Sequence, residues 1–142
     1  MTIRNNVTFG HPAEFVESRD FEGILSTDGV GWFVQLLGRI PRVVVDPDLC
    51  QEDWGVAIFL DRDGYSFWVG LSPWDEGTWL AHVHHAGLFQ RFRRSGKEAY
   101  ASVAYDLSVV LANTPDVEEP EWYYDADVGD ADVGGASSPL AT

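Results

Sequence analysis

The residues best suited to chemistry are His82-Val83-His84-His85. In an extended chain alternate side chains share a face, so His82 and His84 point the same way. Two imidazoles so placed can supply two ligands of a metal site, which then needs a third and, for catalysis, an open position. Asp61 or Asp63, at a turn nearby in sequence, could supply a carboxylate if strand geometry allows. The plainer reading is a pair of exposed polar residues on a sheet face, since imidazole also serves as an ordinary hydrogen-bonding surface group.

Four acids, Asp46, Asp48, Glu52 and Asp53, precede the apolar run that starts at Trp54. Paired carboxylates do acid–base work only where burial or mutual repulsion separates their pKa values. Without burial they form a solvated loop or a docking patch for a basic partner. Arg91, Arg93 and Arg94 make the one basic cluster, suited to a phosphate, to a partner's carboxylates or to plain solvation. Cys50 sits beside Glu52 and Asp53, which would raise rather than lower its thiol pKa. The sequence has no glycine-rich phosphate loop, nucleophile elbow or His-Glu-x-x-His motif. No catalytic residue and no cofactor are therefore expected. Trp68 and Trp74, outside the expected core, are candidate interface anchors together with the four acids.

These residues depend on the elements that carry them. Residues 3–9 read as a first strand, and 13–22 as a helical turn or loop. Thr27 or Asp28 would cap a helix over about 30–39, whose Trp32, Phe33, Leu36, Leu37 and Ile40 recur at helical spacing until Pro41 stops it. Residues 54–60, 65–71 and 78–85 predict an antiparallel meander. Alternation puts Trp54, Val56, Ile58, Leu60, Tyr65, Phe67, Val69, Leu71, Trp79, Ala81 and Val83 on its core face. Ser95-Gly96-Lys97-Glu98 reads as a capping box before a helix with Tyr100, Val103, Ala104, Leu107, Val110 and Leu111 on one stripe. Glu121 to Tyr124 would add an edge strand. The expected fold is α+β, a two-layer sandwich of an antiparallel meander packed on one or two helices.

The chain has 142 residues, 45% hydrophobic and 13% aromatic, with 23 acids against 9 bases and a net charge of -14. That is enough apolar residue for one core and argues against overall disorder. A single cysteine excludes an internal disulfide framework. The acidity argues against a nucleic-acid partner, which needs a basic surface. Eight of the acids lie from Asp116 onward with no base among them, so that stretch carries -8 and residues 1–115 carry -6. Residues 1–124 are expected to form a single domain and 125–142 an acidic, flexible tail. No apolar run approaches a membrane helix or a signal peptide, so no membrane partner and a cytoplasmic location are expected.

Glu52-Asp53-Trp54-Gly55 opening the meander, Trp79 on a later strand, an amphipathic helix and the acidic Glu121-Trp122 end form a pattern. It resembles small acidic bacterial immunity proteins, the kind paired with polymorphic or contact-dependent toxins. The resemblance covers roughly residues 30–124 and implies a class of function without assigning site residues. On that class the protein neutralises a basic partner, a toxin domain with nuclease activity being the natural one. The alternatives are a metal-dependent enzyme using His82 and His84, or a generic accessory or scaffold protein.

Overall fold

The computed structural model describes residues 2–141; Met1 and Thr142, the ends of the expected domain and tail, lie outside the described residues. The elements are β1 (Asn6–Gly10), α1 (Gly31–Leu37), β2 (Val44–Val45), β3 (Cys50–Gln51), β4 (Val56–Arg62), β5 (Tyr65–Pro73), β6 (Thr78–His85), α2 (Arg94–Ala112) and β7 (Glu118–Tyr123). All strand pairs are antiparallel, in the order β2-β4-β5-β6-β1-β7, with β3 also paired to β4. β2 and β3 thus share the outer edge of β4. The fold is the α+β sandwich, one sheet with two helices.

Strand β1 is internal, inserted between β6 and the edge strand β7, so the meander of β4 to β6 is extended by an N-terminal and a C-terminal strand. Val56, Ile58 and Leu60 of β4, Phe67, Val69 and Leu71 of β5, and Trp79, Ala81 and Val83 of β6 are buried with Val7 and Phe9 of β1. They meet Phe33, Leu36 and Leu37 of α1 and Val103, Leu107 and Leu111 of α2 in one core. Each such side chain contributes roughly 1.5–3 kcal/mol when fully buried. Trp122, in the acidic edge strand β7, is 1% exposed and belongs to the same core.

Three local expectations change. Trp54 is not on the core face, because it lies in the β3–β4 hairpin before β4 begins. There the Glu52 amide donates to the Gly55 carbonyl, so strand alternation does not yet apply. The helix over 30–39 is shorter, and a 3-10 turn at Thr27–Gly29 precedes it. Ser26 caps that turn, its hydroxyl accepting from the Asp28 amide at 3.0 Å. The capping box at Ser95 does not form. α2 already starts at Arg94, and Glu98 pairs with Arg94 instead of reaching back. Gly96 sets this start, since a Cβ there would collide with the Gln90 carbonyl.

Residues after Asp125 pack back onto the domain. Ala136 exchanges two backbone hydrogen bonds with Trp122 and covers the β7 edge. The Arg4 amide donates to the Pro139 carbonyl at 2.8 Å, and its guanidinium to the Leu140 carbonyl at 3.0 Å. Leu140 packs beside Ile3, Ala101 and Ala104. Composition alone suggested flexibility, but this segment ends in residues that complete a second small apolar cluster.

Candidate functional site

Both helices pack on the core side of the sheet, so the opposite side of its central strands is bare. Register places Phe59 beside Trp68 and Trp68 beside His84, and in the next row Ala57 beside Gly70, Gly70 beside His82 and His82 beside Asn6. The small residues in the second row let large rings lie flat. A Cβ on Gly70 would stand 2.2 Å from His82 Cε1 and 2.7 Å from Trp54 Cη2, so both rings occupy the space above that glycine.

The rings form one cluster. Trp68 stacks on His84 with centroids 4.1 Å apart, and Trp54 lies 4.9 Å from His82 and 6.0 Å from Trp68. His82 Nδ1 and His84 Nε2 share a hydrogen bond of 2.7 Å, one ring donating and the other accepting. Asn6 Nδ2 donates to Asp125 Oδ1 at 2.6 Å. Trp54, Trp68, His82, His84, Asn6 and Asp125 together line an open depression of about 370 Å³. Burial pushes the His82 pKa down to about 4, helped by neighbouring His84. His84 is lowered for the same first reason, against the opposing pull of Asp125. Both rings are thus neutral near pH 7.

Asp125 lies in this depression, and further carboxylates stand on β4 and in the segments that lead into it. Asp46 is tied to it through its amide, which donates to the Phe59 carbonyl at 2.8 Å. Asp48 shares the same loop, its amide capped by Asp46 Oδ1 at 2.9 Å. Glu52 and Asp53 sit in the hairpin that carries Trp54. Asp61, one pair beyond Phe59 and Trp68 on this face, accepts from the Ser66 hydroxyl. Exposed Phe59 and Val44 extend the apolar centre toward the β2 edge. Sequence reasoning missed Trp54 and Phe59, and the Trp54-Gly55 step at a turn was the available signal.

The other candidate residues separate from this face. Trp74 stands in the β5–β6 turn, where with Phe15 and Trp79 it lines a distinct apolar hollow of about 430 Å³. It also borders a polar hollow of about 550 Å³ that gathers Asp75, Glu76, Glu118, Glu119 and Glu121. Asp63 forms an exposed ion pair with Arg42 at 3.0 Å. Among the described residues no three His, Cys, Asp or Glu side chains converge as metal ligands, and His82 and His84 are engaged with each other. Cys50 donates its thiol to Glu52 Oε1 at 3.3 Å, and that hydrogen bond, with burial, raises its pKa. Its thiolate is correspondingly scarce.

The arrangement can therefore offer flat aromatic area, neutral imidazole donors and acceptors, and negative charge from Asp125 and Asp61. Comparison with known proteins adds no relative: no family model, no curated protein and no solved structure matches this chain.

Proposed function

We infer that the protein is a non-catalytic binding module whose bare sheet face docks a basic protein. In the class that its sequence pattern resembles, it is an immunity protein that neutralises a toxin domain, a nuclease being the favoured kind, in the cytoplasm. The single observation that supports this is the composition of the face: Trp54, Trp68 and Phe59 together, with Asp61 and Asp125 beside them and Asp46, Asp48, Glu52 and Asp53 in the segments that lead into β4. Stable interfaces place large aromatic anchors at a desolvated centre and polar groups at the rim. Carboxylates at the rim match the cations with which a nuclease holds phosphate. The overall charge of -14 steers such a partner in and speeds encounter.

The test is capture with the full chain from its native cells, followed by an activity assay of the bound protein. The reading expects a basic partner that inhibits growth alone and is silenced in the complex. A bound protein whose activity is unchanged, or a partner whose association rate ignores salt, contradicts it.

A further inference from the structure

The segment between β6 and α2 takes no part in the face described above, and its chemistry is opposite. Leu88, Phe89 and Phe92 are 70%, 65% and 69% exposed, three large apolar side chains within five residues. Scattered apolar exposure is ordinary, but a cluster of this kind marks a contact surface. Arg91, Arg93, Arg94 and Lys97, four of the nine bases in the chain, follow in the same short stretch, and Arg94 and Lys97 line one hollow with Phe92 and Glu98. The Arg91 guanidinium lies 4.8 Å over the Phe92 ring.

The turn that presents them is anchored. Gln90 accepts from the Ser66 amide at 2.9 Å, donates to the Ser66 carbonyl at 2.7 Å and meets His85 Nδ1 at 2.9 Å. Gly96 closes against the Gln90 carbonyl from the helix side. One half-buried amide side chain therefore fixes the turn while its neighbours face outward. Within the turn the Phe92, Arg93 and Lys97 amides are satisfied by the Phe89, Gln90 and Arg93 carbonyls. Its centre, Gln90–Phe92, is a 3-10 turn and not a strand edge, which disfavours an extended peptide as the occupant.

We propose that this turn is a peripheral docking tip for an anionic lipid surface, with Leu88, Phe89 and Phe92 entering the headgroup–acyl boundary and Arg91, Arg93 and Lys97 meeting lipid phosphates. Apolar insertion flanked by cations is the chemistry that holds proteins at such surfaces without a spanning helix. The net acidity of the chain does not oppose it. The carboxylates Asp75 and Glu76 lie beyond the far end of β6, whose eight residues span about 24 Å, some three screening lengths at physiological salt. Of the acids at the near end, Asp63, Glu98 and Asp106 are each paired with an arginine, while Asp61 accepts from the Ser66 hydroxyl and is the one that opposes binding.

The test is co-sedimentation of the full chain with phosphatidylcholine vesicles, with and without phosphatidylglycerol. The chain should sediment only with the anionic vesicles. F89S/F92S should lower partition at least about tenfold, and R91Q/R93Q by roughly 25-fold at about five-fold per cation. Both variants should keep the wild-type melting curve, because the altered side chains are exposed. No sedimentation with anionic vesicles overturns the proposal, as does sedimentation that survives loss of the rings. Binding to a soluble polyglutamate peptide without vesicle association also overturns it, and would make the turn a protein-docking site.

Discussion

Gly70→Ala isolates the packing of the aromatic face from the packing of the core. The new methyl would sit 2.2 Å and 2.4 Å from His82 Cε1 and Nε2 and 2.7 Å from Trp54 Cη2. All three distances are well inside van der Waals contact, so both rings must move, and the 2.7 Å bond between His82 and His84 must stretch or break. Overpacking of this kind costs about 1–3 kcal/mol, offset by about 0.5–1 kcal/mol from replacing a strand glycine. The net is a loss of up to about 2.5 kcal/mol, centred near about 1 kcal/mol, which lowers Tm by roughly 3 °C per kcal/mol for a chain of this length. Denaturant unfolding followed by tryptophan emission reads both the loss and the displaced Trp54. In an H82A background the same substitution should cost at least about 1 kcal/mol less, because the two nearest atoms are gone. Unchanged stability and emission in G70A, or no coupling in the double variant, would refute the proposed ring arrangement.

Three further outcomes are expected. His82 has its pKa depressed to about 4 in the folded chain, against about 6.5 unfolded. Its contribution is thus complete above pH 6.5 and lost as pH falls toward 4, a total of roughly 3 kcal/mol; urea unfolding at pH 7 and pH 4 should show a smaller loss in H82A. Asp106→Ala leaves Arg62, only 4% exposed, without its carboxylate while it still donates to Ser102 Oγ. The expected cost is about 2–3 kcal/mol, reduced from the fully buried case by the partial exposure of Asp106, and R62M/D106A should recover most of it in denaturant midpoint. Removing residues 126–142 exposes the β7 edge and takes the carbonyl acceptors from Arg4. The domain should stay folded but lose about 1–3 kcal/mol, with faster amide exchange confined to β1 and β7.

The meander was legible because its strands alternate cleanly and its turns carry Gly64 and Gly77. The expected third strand, residues 78–85, matches β6 at both ends. The stripe of α2 was equally plain: Val103, Ala104, Leu107 and Leu111 are all buried. What escaped depends on contacts distant in sequence. Gly96 must approach Gln90, and that tertiary contact overrides the local capping signal of Ser95 and Glu98. Trp54 turns to the bare face because of a hairpin whose first strand is only two residues long, too short for any periodicity. Residues 136–140 are held by Trp122 and Arg4, more than a dozen residues away at the nearest and across the chain at the farthest. Of the expected interface residues, Trp68 lies on the bare sheet face, whereas Trp74 lines a different hollow at the β5–β6 turn.

The central claim is that the bare face, and Trp68 in particular, carries partner recognition. The most direct measurement is the affinity of W68A and W74A for the captured partner, with circular dichroism showing that both remain folded. The account predicts that W68A weakens binding by at least about 30-fold, the size of an interface hot spot, while W74A changes it little. Wild-type affinity in W68A, or a loss confined to W74A, would contradict it.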